Sequence, residues 1–449
     1  MIFLFLLALV IWLLRPSWLM PLWLVAIPVL APILVFRSGI QNTEDLLNFI
    51  FSIWGVFQRI FIIIVLYQLL IKKKKIPGGI RSFMIPCGLL CIYFIFHNGI
   101  RHLNIYTLYQ NIAGTCYYIL PILVMMLDKD VRPKLNVIFG ILIFIIALQI
   151  IMVPFNLKGI VVYIMRYQDK VFLQEELGLV SGTFSQSNAL ADFLSVAYLF
   201  ICVDFFLRKG ISKKTYFSMS VVMFTLLALT GSKMPIICSL MGLAMCVFCY
   251  RKKIILHIVG VLVGLVLIVV FSWEYIEKLG EEYRGVDRFV SGMTNFIESN
   301  KRDNEDNSTV RLSKELINKY YWVSPIIGCA YAYKGQDEAY PTNLNVDFGL
   351  ADYNADATLA LHLVEYGTIG IILFLWFYYS LIRYSVNIVF GKRKGYVVSV
   401  IIFLFFLAFS VTEGGLFYRP NYFYFYTYIF AVKRFKEENN LLSERYIIS

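Results

Sequence analysis

Four polar clusters in an otherwise apolar chain carry residue types able to do chemistry. The first is Ser181-Gly-Thr-Phe-Ser-Gln-Ser-Asn188-Ala-Leu-Ala, a small, hydroxyl-rich turn that leads into an apolar run. A helix opening there directs unpaired N–H groups and the positive end of its dipole at the turn, an arrangement that holds phosphate. Ser187 and Asn188 are equally good ordinary helix caps, so the turn alone does not choose between anion binding and capping. The second cluster is Gly231-Ser-Lys233, with Pro235 just after it, between two apolar runs joined by almost no loop. Lys233 is a lone cation at that boundary, where it either snorkels outward or meets an anion.

The third cluster is Ser308-Thr-Val-Arg311-Leu-Ser, followed by Tyr320-Tyr-Trp-Val-Ser-Pro325-Ile-Ile-Gly328. A guanidinium is a strong partner for phosphate oxygens, although Arg311 as one charge among several in a polar stretch also fits a solvated surface. The fourth is Asp356-Ala-Thr-Leu-Ala-Leu-His362-Leu-Val-Glu365-Tyr-Gly367-Thr-Ile-Gly370. Asp356 falls in the first turn of a helix, where the dipole favours an acid whether or not it takes a proton in a reaction. His362 and Glu365 lie three apart on one helical face and are expected to hydrogen bond to each other rather than to hold a metal.

These clusters need a scaffold, and the composition defines it. Of 449 residues 59% are apolar and 16% charged, with 38 Phe and 30 Tyr, which excludes an ordinary water-soluble domain, a disordered chain and a small disulfide scaffold. Apolar runs suited to crossing a bilayer occur near 1–14, 17–36, 46–71, 82–97, 105–127, 135–153, 188–207, 215–230, 234–250, 254–272, 356–382, 396–411 and 421–432. The expected fold is therefore an all-α, polytopic membrane protein of about 12–13 spans. Residues 1–14 lack the basic flank and small-residue cleavage site of a signal peptide and are expected to remain as a first helix.

The net charge of +12 is topological rather than a nucleic-acid footprint. Lys72–Lys75, Lys129/Arg132/Lys134, Arg208/Lys209/Lys213/Lys214, Arg251/Lys252/Lys253, Lys392/Arg393/Lys394 and Lys433/Arg434/Lys436 all fall on one side if the spans alternate. With those clusters cytoplasmic, the segments 37–45, 98–104, 154–187, 231–233, 273–355 and 412–420 face the exterior, and all four chemical clusters lie there or at that boundary. The resulting organisation is 1–153, N-terminal helices; 154–272, helices carrying the first two clusters; 273–355, a large exterior loop capping the spans; and 356–449, C-terminal helices with a cytoplasmic tail. Seven cysteines lie in apolar runs and only Cys329 in a polar segment, so no disulfide framework is expected. Cys246 and Cys249 form a Cys-x-x-Cys inside a predicted span with no second ligand pair, which favours packing over zinc.

Taken in order, the four clusters resemble the O-antigen polymerase and O-antigen ligase family of bacterial envelope polysaccharide glycosyltransferases. The resemblance rests on Gly182 to Asn188, Ser232-Lys233, Arg311 with Pro325 and Gly328, and Asp356 with Glu365, Gly367 and Gly370, and covers about 180–372. Two departures stand out. Lys233 takes a position where the family commonly has Arg, which keeps the charge but loses the bidentate fork. Asp356-Ala357 replaces the His-Asn typical of ligases, which weighs towards a polymerase.

The resemblance implies a GT-C-like fold in the bacterial plasma membrane, with its site on the periplasmic or extracellular face. It implies that a sugar hydroxyl of one undecaprenyl-diphosphate-linked oligosaccharide attacks the anomeric carbon of another, yielding O-antigen, lipopolysaccharide or capsule chains. Arg311 and Lys233 are then expected to stabilise the leaving diphosphate, with Ser187, Asn188, Arg166, Arg284, Arg288 and Arg419 as helpers in binding, and Asp356 to act as the base. No cofactor or metal is expected, and a chain-length regulator is an implied partner. Tyr320, Tyr321, Trp322, Tyr331 and Tyr333 suit sugar stacking but fit an interfacial aromatic belt better. A ligase is the nearest alternative. A flippase or transporter is the competing class, for which Arg59 and Asp204 are the mid-membrane candidates.

Overall fold

Where water is absent a backbone satisfies its own polar groups by coiling, and the computed structural model of the chain is helical without a strand among the described residues. It describes residues 2–26, 43–101, 105–157, 180–184, 187–208, 210–250, 317–318, 321–328, 358–412 and 419–448. The helices are α1 (Ile2–Leu14), α2 (Leu19–Val25), α3 (Thr43–Leu66), α4 (Arg81–Arg101), α5 (Ile105–Leu127), α6 (Leu135–Leu157), α7 (Ser187–Val203), α8 (Lys213–Leu229), α9 (Lys233–Tyr250), α10 (Thr358–Thr412) and α11 (Arg419–Ile448). Gly78–Ile100, Lys129–Val153, Ala189–Phe206 and His362–Gly391 are long and apolar enough to cross a membrane. The protein is an all-α, polytopic membrane protein. The expected span at 254–272 lies outside the described residues, as does 17–36 beyond residue 26.

The chain divides into two compact units, Met1–Phe57 with Pro133–Asp303 and Gln58–Arg132 with Asn304–Ser449. In the first, α1 stops at Arg15 because Pro16 follows and pushes the preceding residue out of helical geometry, to φ −144° and ψ 70°. The buried centre is α7, which packs on α8 and α9. Small side chains bring α7 and α9 together: the Ser195 hydroxyl donates to the Pro235 carbonyl at 2.6 Å and lies 2.9 Å from the Ser239 hydroxyl. Asp204, a candidate for a mid-membrane carboxylate, is buried in the π-helical turn Asp204–Arg208 that ends this span.

In the second unit α4 runs antiparallel to α10, with Phe83 against Tyr384 at 5.1 Å and Phe94 against Tyr366 at 5.3 Å. A tyrosine-rich stretch of α11 is buried beside α10, Phe406 stacking on Tyr422 at 5.1 Å. Arg59, the other mid-membrane candidate, is exposed. The basic clusters of this unit meet at one end. Lys74 Nζ donates to the Leu127 carbonyl at 2.7 Å, and Gln68 donates to the Asp128 carboxylate at 2.8 Å. Arg132 donates to the Met125 carbonyl at 2.6 Å and to Glu437 at 2.9 Å, while Arg434 donates to the Arg132 carbonyl and Lys436 to that of Val389. Alternating spans require this shared end. Burial, with Arg132 close by, holds the Lys433 ammonium below the usual lysine range, and burial does the same to Lys436.

One expectation is corrected here. The run 356–382, read as one uninterrupted span, is broken at Gly367, where φ is 66° and ψ −172°, and a second break at Gly391 (φ 74°, ψ 168°) stands where a basic connecting loop was expected. The helix resumes at once after each glycine, so α10 is three helical pieces in series.

Candidate active site

A helix broken at Gly367 leaves carbonyls before the break and N–H groups after it without their partners four residues away. The Pro325-Ile-Ile-Gly328 turn supplies the missing acceptors. Thr368 N–H donates to the Pro325 carbonyl at 2.9 Å and Ile369 N–H to the Ile326 carbonyl at 3.2 Å. The Thr368 hydroxyl donates to the same Pro325 carbonyl at 2.8 Å and lies 2.8 Å from the Tyr321 hydroxyl. The turn is itself closed by Gly328 N–H donating to the Ser324 carbonyl at 2.8 Å.

The glycines of both clusters have steric reasons to be glycine. A Cβ on Gly328 (φ 91°) would fall 2.2 Å from the Glu365 carbonyl oxygen, and one on Gly367 (φ 66°) would fall 2.5 Å from Gly328 N. A Cβ on Gly370 would fall 2.9 Å from the Tyr93 ring of α4. The spacing Glu365-x-Gly367-x-x-Gly370 thus shapes a seat for the turn and for Tyr93. From α4 the Tyr93 hydroxyl lies 2.5 Å from the Tyr366 carbonyl oxygen and 2.8 Å from that of Ile327, its one proton shared between the two acceptors.

Just before the break, His362 Nδ1 lies 3.1 Å from Glu365 Oε2, as their spacing predicts. With the carboxylate as acceptor, the imidazole donates from Nδ1. The His362 ring stacks on Tyr366 at 5.6 Å, and the other side of this aromatic group is formed by His97, 5.8 Å from Tyr366 and 5.7 Å from Tyr93. Trp322 is 69% exposed, as an interfacial belt residue would be.

In the first unit the Ser181–Phe184 turn is held from α6. Gln149 accepts from Thr183 N–H at 2.9 Å and donates to the Thr183 hydroxyl at 3.0 Å. Val180 N–H donates to the Leu229 carbonyl and Phe184 N–H to that of Ser181. The N–H groups of Val180, Thr183 and Phe184 are therefore committed within the protein. The tight Gly182 backbone (φ 60°) belongs to this packing, since a Cβ there would fall 1.9 Å from Gln149 Oε1. Ser187, buried, begins α7. Gly231 (φ 70°) turns the chain between α8 and α9, and Lys233 is the first residue of α9.

Arg311, Asp356, Arg166, Arg284 and Arg288 lie outside the described residues; for Asn188, Lys233 and Arg419 the helical backbone alone is described. Among the described residues no three His, Cys, Asp or Glu side chains group as metal ligands. Sequence reasoning missed Tyr93 and Gln149. Gln149 had a signal, because it is the lone amide in the middle of the apolar run of α6. Tyr93 had none, since an aromatic in an apolar span reads as packing.

Apolar helices, with a turn seated on a broken span, define the class, a polytopic membrane protein. The family model described as O-antigen ligase matches residues 218–375, so this segment of the chain is similar to that family. No curated protein matches the chain. Over that segment the chain is similar to membrane glycosyltransferase-like enzymes.

Proposed function

We propose that the protein is a polysaccharide polymerase that joins undecaprenyl-diphosphate-linked repeat units at the outer face of the plasma membrane. The observation that carries this reading is the docking of Pro325–Gly328 on the break at Gly367, because both pieces lie inside the family match and are held together as one assembly. The Asp356-Ala357 pair, in place of the ligase His-Asn, favours polymerase over ligase.

In the proposed reaction a sugar hydroxyl of one lipid-linked unit attacks the anomeric carbon of another. The new glycosidic C–O bond forms as the bond to the diphosphate breaks, the diphosphate leaves with the electron pair, and Asp356 takes the hydroxyl proton. Arg311 and Lys233 stabilise the charge that develops on the leaving group, in place of a bound metal, with Arg166, Arg288 and Arg419 as further cations and Ser187 and Asn188 as binding groups. A carboxylate beside such cations is ionised but weakly basic, so partial desolvation of Asp356 is part of the proposal.

The purified protein in detergent, given a lipid-linked oligosaccharide, tests the reading. Glycan transfer with no membrane gradient supports an enzyme. In vesicles, vectorial movement of the lipid-linked glycan without transfer would establish the competing flippase class. Growth on a second lipid-linked unit identifies a polymerase, whereas transfer only to an unrelated acceptor identifies a ligase.

A further inference from the structure

We propose that the groove between α1, α2 and α6 holds an anionic phospholipid, its phosphate on Arg15 and one acyl chain along the apolar wall. The groove has a volume of about 470 Å³, the scale of a small-molecule site, and its wall is almost wholly apolar. α1 contributes Val10 and Leu14, α2 contributes Leu22 and Val25, and α6 contributes Ile141. Arg15 and Trp18 line it at the corner where α1 ends and α2 begins. All of these residues belong to the first compact unit and lie outside the matched segment 218–375, so the proposal does not depend on the transferase reading.

The corner explains why a cation and an apolar groove adjoin. Pro16 ends α1 at Arg15, and Trp18 N–H closes the turn on the Arg15 carbonyl at 2.9 Å, which leaves the guanidinium at the junction of two apolar runs. Arg15 is exposed, and among the described residues its guanidinium has no hydrogen-bond or ion-pair partner. A cation at such a boundary snorkels to water or meets an anion. The groove beside it selects the kind of anion. A free phosphate would bind the guanidinium and leave the apolar wall bare, whereas an uncharged lipid would cover the wall and leave the cation unmatched. A negative headgroup on a hydrocarbon tail satisfies both. A net-negative phospholipid does so better than a zwitterionic one, whose own amine competes for the phosphate. Trp18, 48% exposed at the rim, suits the headgroup level where indoles gather.

The test puts the full chain into phosphatidylcholine nanodiscs containing a minor fraction of chain-brominated phosphatidylglycerol or, in parallel, chain-brominated phosphatidylcholine. Bromine quenches an indole that it touches, and the Trp18 signal is the difference in emission between the wild type and Trp18→Phe. Quenching of that signal should be about fivefold more efficient with the brominated phosphatidylglycerol, the scale of one cation beside an anionic headgroup, and the preference should shrink in high salt. Arg15→Gln should abolish the preference, and Arg15→Lys should keep most of it. Leu22→Phe, which narrows the groove and leaves the cation, should also reduce it, which separates a seated chain from anionic lipid merely gathered near a charge. Equal quenching by the two lipids in the wild type would overturn the proposal, and is the result expected if a second copy or another stretch of the chain covers the groove. A preference that survives Arg15→Gln, or that Leu22→Phe leaves unchanged, would overturn it too. Displacement of the brominated phosphatidylglycerol by an equal amount of undecaprenyl phosphate would assign the groove to an isoprenoid lipid instead and likewise overturn it.

Discussion

Gly328 and Gly367 meet backbone to backbone, so closely that a Cβ on Gly367 would fall 2.5 Å from the Gly328 nitrogen. Both have positive φ, and the meeting lets the Pro325–Gly328 turn cap the restarted half of a helix long and apolar enough to cross a membrane. Two motifs separated by a long polar loop are thus one structural object.

That contact sets the first prediction. Gly328→Ala and Gly367→Ala must relieve a backbone clash as well as adopt a disfavoured φ, and each should destabilise the protein by about 2–4 kcal/mol. Gly391→Ala is the internal control. It has positive φ but no atom within 4 Å of an added Cβ, so it should cost only the conformational strain, about 1–2 kcal/mol. Thermal unfolding in detergent should rank Gly391→Ala as the mildest of the three.

Gln149 is the second. Replacing it by Leu removes the partner of Thr183 N–H and hydroxyl in a fully buried place, and should cost about 1–3 kcal/mol. Limited proteolysis should show earlier cleavage beside Ser181, and a Gln149→Glu variant should keep the bond that Thr183 N–H donates while losing the donation of the Gln149 amide to the Ile145 carbonyl.

At the basic end, Arg132 is buried and makes charge-assisted bonds to Met125 and Glu437. Arg132→Met should leave Glu437 without this partner and loosen α11, costing about 2–4 kcal/mol. Glu437→Gln should cost less than about 1 kcal/mol, because that carboxylate is well exposed. The melting temperatures of the two variants check the ordering.

Asp356 separates catalysis from capping. As the base, Asp356→Asn should keep donor binding while transfer falls by about 10²- to 10⁴-fold. As a helix cap alone, Asn would serve as well as Asp, and near-normal polymer from folded protein would remove the catalytic assignment. Lys233→Arg should retain much of the activity that Lys233→Ala loses, since charge and reach survive.

Hydropathy exposed most of the fold because a membrane forces each spanning segment to hide its own backbone, and helices stand at nearly every expected run among the described residues. The basic clusters at Lys74, Arg132 and Arg434 share an end as charge counting requires. The break at Gly367 was not legible, because hydropathy is continuous across it and a glycine in an apolar run is compatible with an unbroken span. The His362–Glu365 pair was legible, since helical spacing alone brings the two together. Tyr93 was not, because its partners are backbone carbonyls far along the chain and leave no pattern in residue types. The occupied donors around Ser181 were missed for the same reason: a helix-opening turn looks alike whether its N–H groups face an anion or a buried glutamine.

The most direct measurement is the mass of the lipid-bound product formed by purified protein from a donor carrying a single repeat unit. The proposed reaction predicts a ladder growing by whole repeats, each chain still on one diphosphate lipid, with one lipid diphosphate released per bond and the ladder lost in Arg311→Ala. Recovery of the donor unchanged from folded wild-type protein, or an equal ladder from Arg311→Ala, would contradict it.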